Sequence, residues 1–345
     1  MLTLAKLALG ASLLSPLAAA LRPSDIPADT PISQLLATAK TQLAAGNAQE
    51  ALTYFDVAIT RDPQNYFTIF NRGAAYLSLG KSQQARKDFD KVLQLKPGHE
   101  GALVQRAKLR ARQGEWAEAE SDYVAAGRKK EDPILIELND AHGASIAAAL
   151  AVENKNWDEC VQQSGQAILV AAGDVSLRQL RATCRFERGE IAEGVSDLQH
   201  VLHLNPGDTA PHLKISTLQF YGMAETDAGL SQIRKCLQSD PESKACKKVM
   251  RSEKAVDKAV KKVRGLMEKK QNVAATKVLT KNGEEPGLLA EVKEEFEALK
   301  KEVLIHENTP NALYSQLLDL TCEAYIEVCL PPSDSDGAQA NTPHR

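Results

Sequence analysis

Residues 66–99, YFTIFNRGAAYLSLGKSQQARKDFDKVLQLKPGH, decide the fold. Two helical patterns meet at Gly80, a residue that readily takes the left-handed conformation that stops a helix. In the first pattern Ile69, Gly73 and Tyr76 share one face; in the second, Ala85, Phe89 and Val92 do. Pro97 ends the second helix, because its ring pushes the preceding residue out of the helical region. A shift of 34 residues to either side finds the same residue types again. Gly46, Gly80 and Gly114 form one column, Ala51, Ala85 and Ala119 another, and Phe55, Phe89 and Tyr123 a third. Ala58, Val92 and Ala126 keep the interval, as do Pro63 and Pro97. Each column has a physical task. Ala39, Gly73 and Ala107 are small enough to let the first helix of a pair touch the second opposite Ala51, Ala85 and Ala119. The aromatic column fills the space between one helix pair and the next.

This period and pattern are those of the tetratricopeptide repeat. The expected fold class is therefore all-α, a superhelix (α-solenoid) of helix-turn-helix pairs, each burying its apolar face on its neighbours. The register continues in weaker form. Trp157 falls at the turn aromatic of a fourth repeat, and Ala182, Gly189 and Pro206 mark a fifth. A sixth runs to Asp240 with one extra residue near Tyr221 and Gly222, and 131–144 is an insertion between repeats three and four. The organisation expected is a signal peptide at 1–20, repeats one to three at 32–132, repeats four to six at 133–243, further repeat-like helices at 244–330, and a tail at 331–345 too polar and too rich in Pro and Gly to fold.

The signal peptide is read from Lys6, the apolar run that follows it, and Ala18 and Ala20 at the −3 and −1 positions of a cleavage site. The run is short for a bilayer span and contains Gly10 and Pro16. Entry into the secretory pathway is the expectation. A net charge of −3 argues against a surface that grips polyanions throughout, and 25% charged residues argue against a multi-span membrane protein. The six cysteines suit an oxidising compartment, and none has the spacing of a zinc ligand set. Cys236 and Cys246 flank the turn Ser239-Asp240-Pro241, which can bring antiparallel helices within disulfide reach; a bond here competes with two reduced thiols. Cys322 and Cys329, seven residues apart on one helix, are separated by about 10 Å of rise and do not pair with each other. Cys160 and Cys184 read as small core residues.

The first helices of the repeats line the inner wall, the usual binding surface. There Phe67, Phe70, Ala74 and Leu77 share one helical face, with Leu36 and Leu43 at matching positions in repeat one and Val104 in repeat three. These seven form a candidate groove for hydrophobic, unfolded client segments; cover by loops or by the N-terminal arm is the competing reading. A two-carboxylate clamp for an acidic chaperone tail would need Lys, Asn, Asn, Lys and Arg where this chain has Leu36, Lys40, Asn71, Gly101 and Gln105. One Asn cannot neutralise two carboxylates. Residues 244–270 hold 11 basic and three acidic side chains, with Lys247, Arg251, Lys254, Lys258 and Lys261 on one face. That face reads as solvated; without interleaved aromatics it is a poor nucleic-acid surface. No phosphate loop, nucleophile elbow or H-E-x-x-H is present, so no catalytic, cofactor-binding or metal-ligating residue is assigned. The seven histidines read as surface or capping residues.

Three stretches go beyond what repeat rules dictate: LRQLRATCRFERGE (177–190), LKISTLQFYG (213–222) and SQIRKCLQSDPESKAC (231–246). With the signal peptide and the repeat series, they make the chain resemble the ER-lumenal DnaJ co-chaperones with tetratricopeptide repeats, the kinase-inhibitor DnaJ family. The resemblance covers about residues 30–320. It implies residence in the ER lumen, binding of unfolded clients by the first repeats, and cooperation with the lumenal chaperone BiP in folding and the unfolded-protein response. It also supports the Cys236–Cys246 bond and extends to regulation of stress kinases. Family members end in a J domain with a His-Pro-Asp triplet, which this sequence does not contain. A truncated gene model or a natural J-less form would explain that. The competing function is a scaffold that binds one folded partner through the outer face or the basic helix.

Overall fold

The computed structural model describes residues 21–280 and 286–329, so the signal-peptide and tail expectations lie outside the described residues. Among those residues are sixteen α-helices and no strand. They separate into two compact units that divide between Ile136 and Glu137.

The first unit contains three helix pairs: α1 (Ile32–Ala44) with α2 (Ala48–Arg61), α3 (Tyr66–Ser78) with α4 (Ser82–Leu95), and α5 (Glu100–Arg112) with α6 (Trp116–Ala125). The odd-numbered member is called the A helix and the even-numbered the B helix. Gly46, Gly80 and Gly114 join A to B with φ of 84°, 69° and 76°, the left-handed region that a side chain disfavours. B helices stop for the reason read from the prolines. Asp62 and Lys96, directly before Pro63 and Pro97, have left the helical region at φ −136° and −143°. The next A helix is then capped by a side chain: Asn65 Oδ1 accepts from Thr68 N–H at 3.2 Å, and His99 Nδ1 from Ala102 N–H at 3.1 Å. Ala39, Ala51, Ala85, Ala107 and Ala119 are fully buried, as are Phe55 and Phe89. Gly73 permits the closest approach, since a Cβ there would sit 2.8 Å from the Phe89 ring.

The second unit begins within α7 (Pro133–Glu153), whose 21 residues absorb the insertion between repeats three and four. It continues with α8 (Trp157–Val170), α9 (Val175–Glu187), α10 (Ile191–Leu204) and α11 (Thr209–Thr217). The extra residue of repeat six appears as a π-helical turn at Leu218–Gly222, where Met223 N–H donates to the Leu218 carbonyl five residues back at 2.9 Å. Then come α12 (Thr226–Ser239), α13 (Lys244–Glu268), α14 (Asn272–Leu279), α15 (Leu288–Glu302) and α16 (Ala312–Cys329). The π turn feeds the largest core of this unit, where Tyr221 stacks on Phe296 with ring centroids 5.5 Å apart.

Two disulfides lie in this unit, Cys236–Cys246 and Cys160–Cys184, each with Cα atoms 6.2 Å apart. The second corrects the reading of Cys160 and Cys184 as unbonded core residues. Trp157 aligns with Trp116, so Cys160 falls in the small-residue column of Ala119 on its B helix, and Cys184 lies on the following A helix. Two fully buried cysteines on packed neighbouring helices are within bonding reach, which a sequence separation of 24 conceals. Both bonds therefore join the B helix of one repeat to the next helix along the chain. Cys160 is in the first turn of α8, whereas Cys236 is in the last turn of α12.

A second feature of this unit is polar. Glu253 on α13 is fully buried, with its carboxyl oxygens 2.8 and 2.9 Å from Ser216 Oγ. Ser216 Oγ is also 2.8 Å from the Gly229 carbonyl oxygen. A hydroxyl has one proton to give. When Ser216 gives it to Gly229, Glu253 can only be the donor to Ser216, and must itself be protonated. Burial favours that state, pushing the Glu253 pKa up to about 8.

Candidate functional site

The seven groove candidates lie on the A helices of the first unit: Leu36 and Leu43 on α1, Phe67, Phe70, Ala74 and Leu77 on α3, and Val104 on α5. Phe67 is 45% exposed, and Leu36, Leu43, Phe70, Ala74, Leu77 and Val104 are half-buried. The described part of the N-terminal arm packs against α2 and the start of α1. Thr53 Oγ1 donates to the Leu21 carbonyl at 3.4 Å, and Arg61 donates to the carbonyls of Pro27 and Thr30. Ile26 packs with Leu35 and Ala58; of the groove residues, Leu36 shares that cluster.

Two positions behave differently from a simple apolar strip. Phe70 is a wedge between repeats two and three: its ring centroid lies 5.7 Å from Phe89 and 4.9 Å from His99, and a Cβ on Gly101 would meet its edge at 3.0 Å. Phe67, by contrast, offers its ring to solvent with Lys40 Nζ 4.4 Å from the centroid, a cation–π contact across α1 and α3. Asn71, the surviving clamp residue, donates its side-chain amide to the Phe67 carbonyl at 2.6 Å. These side chains present aliphatic and aromatic surface, with a cation beside the exposed ring. Among the described residues no group of three or more His, Cys, Asp or Glu could hold a metal ion.

The residues that stiffen this wall escaped the sequence reading. Arg72 clamps Asp88 of its own repeat with two hydrogen bonds of 2.8 and 2.7 Å and reaches Asp56 of the preceding repeat at 2.9 Å. One period on, Arg106 does the same with Asp122 (2.8 and 2.7 Å) and Asp90 (2.8 Å). These bonds hold both guanidinium groups well above the usual arginine pKa, Asp88 and Asp122 contributing most. The signal was available: Arg72 and Arg106, Asp56 and Asp90, and Asp88 and Asp122 all keep the 34-residue interval. His212 also departs from the reading of the histidines as surface or capping residues. It is buried in the second unit, with Nδ1 2.8 Å from Gln232 Nε2.

No helix among the described residues is long and apolar enough to cross a membrane. The family model described as "Tetratricopeptide repeat" matches residues 67–99. Among curated proteins, the chain is 46% identical to the tetratricopeptide repeat and J domain-containing co-chaperone DNJ1 of Fusarium oxysporum, over 94% of this chain and 63% of that one. It is 31% identical to human DnaJ homolog subfamily C member 3, over 68% of this chain and 48% of that one. It thus spans about half to two thirds of the length of these relatives. Among solved structures, the P58(IPK) tetratricopeptide-repeat domain aligns with a TM-score of 0.68 and 25% identity, covering 86% of this chain and 79% of that one. The 34-residue columns, the helix pairs they build and these likenesses together show that the chain belongs to the family of tetratricopeptide-repeat and J domain-containing co-chaperones.

Proposed function

We propose that this chain is a client-holding module of the ER lumen. It binds unfolded or misfolded polypeptides through the A-helix wall of the first unit and acts with the lumenal chaperone BiP. The observation that carries the reading is Phe67, a large aromatic 45% exposed on a wall of half-buried apolar side chains. The described residues of the arm pack against α2 and the start of α1, where they meet Leu36 but not Phe67. An exposed aromatic among apolar neighbours offers a contact for an apolar segment. The lumenal address rests on the leader sequence, the cysteine usage and the family; the BiP partnership and regulation of stress kinases rest on the family alone.

The test is suppression of aggregation of several reduced secretory proteins by the full chain, wild type against Phe67→Ser. Broad protection that the substitution abolishes is the expected result; protection untouched by it overturns the groove assignment. A second reading, an adaptor for one folded partner, is favoured by the exposed Arg251, Lys254 and Lys258 on one face of α13. It predicts one tight partner and no general protection.

A further inference from the structure

We propose that the groove selects by charge, taking apolar client segments flanked by Asp or Glu over those flanked by Lys or Arg. The inference rests on the groove reading above and adds the class of segment bound. Leu36, Phe70 and Val104 are one column of the wall, and Leu43 and Leu77 belong to another. Between them runs the column Lys40, Ala74, Lys108. Ala74 was counted with the apolar groove residues, but its two counterparts are lysines, both exposed. Arg112 lies one helical turn beyond Lys108 and is exposed too.

The balance of charge on this wall is one-sided. Helices α1, α3 and α5 contain Glu100 as their one acidic residue, and Arg128 holds it at 3.3 Å. Their arginines at 72, 106 and 110 are committed to the aspartates of the B helices. No carboxylate of a described residue lies within ion-pairing distance of Lys40, Lys108 or Arg112. Asp56, Asp88, Asp90 and Asp122 of the B helices thus hold arginines in place, while Lys40 and Lys108 are left open to a ligand. Lys40 is also fixed beside the hydrophobic contact, since its ammonium lies 4.4 Å from the Phe67 ring centroid. A client aromatic or aliphatic residue seated on Phe67 would bring its sequence neighbours next to this ammonium. A carboxylate there gains a charge-assisted contact; a second ammonium is repelled. The arrangement differs from the two-carboxylate clamp, whose positions here are mostly neutral.

The experiment uses the full chain and three fluorescent peptides with one Phe/Leu core and flanks of Asp, Ser or Lys, measured by anisotropy. The acidic peptide is expected to bind about ten-fold more tightly than the basic one, with the neutral peptide between them, and the gap should close as salt is raised. In the double variant Lys40→Gln/Lys108→Gln the three affinities should converge. Equal affinities for the three peptides in wild type would overturn the charge inference and leave the groove standing. Absence of saturable binding by any of them would overturn the groove reading, and this inference with it. A charge preference that survives in the double variant would assign the selectivity elsewhere and overturn it as well.

Discussion

Arg72 and Asp88, 16 residues apart and on the two helices of one repeat, share a two-pronged ion pair whose nearest contact is 2.7 Å, and Arg106 and Asp122 reproduce it one period later. Each arginine also reaches back to the B helix of the preceding repeat, at Asp56 or Asp90. The pair therefore ties a repeat internally and to its neighbour at once. The second unit has a related clasp, in which Asp197 accepts from Arg181 and Arg185, each at 2.6 Å.

Removing one partner leaves the other's charge buried. Asp88 is 7% exposed at its side chain, so Arg72→Ala should destabilise the first unit by about 3 kcal/mol. Urea denaturation of both single variants and of the double variant Arg72→Ala/Asp88→Ala measures this. The double variant should lose less than the sum of the two single losses, because no orphaned carboxylate remains.

The Cys160–Cys184 bond closes a stretch of 24 residues between packed helices. Replacing Cys160 by Ser should cost about 3 kcal/mol, as expected for a loop of this length, and should act on the second unit alone. Limited proteolysis around α8 and α9, with the wild type as control, reads the loss. A reductant should reproduce it in wild type and add less in the variant, through Cys236–Cys246.

The legible and illegible parts of the molecule differ in the range of the interactions involved. Gly80, Pro97 and the Ala85 and Phe89 columns act locally or at a fixed interval, so the period exposes them. The single extra residue near Tyr221 was visible as a break in register, and the π turn is its physical form. Most charged residues lie at the surface, and small, aromatic and proline positions carry the clearest signal of the period. Asp88 and Asp122 were missed for that reason, although they keep the same interval. Cys160 was hidden because the insertion shifts its register against Ala119. Phe70 was misjudged for a different cause: a helix face is wider than one stripe, and His99 and Gly101 of the next repeat decide which side of Phe70 is covered.

Glu253 should give the second unit a pH-dependent stability. Its pKa rises from an ordinary value near 4.5 in the unfolded chain to about 8 in the fold, so the folded state holds the proton more tightly. Stability from this group is full below pH 4.5 and is lost as pH rises towards 8, on the order of a few kcal/mol in total. Glu253→Gln keeps the shape and can donate to Ser216 Oγ at every pH. Thermal unfolding across pH 5 to 9 should show the variant as the more stable protein at the alkaline end, with a flatter profile. A wild-type profile equally flat would mean that Glu253 is not the titrating group.

Phe67 and Phe70 separate binding from folding, although both belong to the same candidate wall. Phe67 has solvent and Lys40 as neighbours on its open side, so Phe67→Ser should change stability by no more than about 0.5 kcal/mol while removing the exposed ring. Phe70 fills the junction between Phe89, His99 and Gly101, and Phe70→Ser empties it at a cost of about 3 kcal/mol. Both variants should protect aggregating clients poorly, for different reasons that urea melts resolve: a wild-type melt for Phe67→Ser and an earlier midpoint for Phe70→Ser. Stabilising the Phe70 variant, by a lower temperature or an osmolyte, should restore part of its protection, because its Phe67 is intact. The Phe67 variant should gain nothing from the same treatment. If both recovered together, Phe67 would be contributing to the fold and not to the contact with clients.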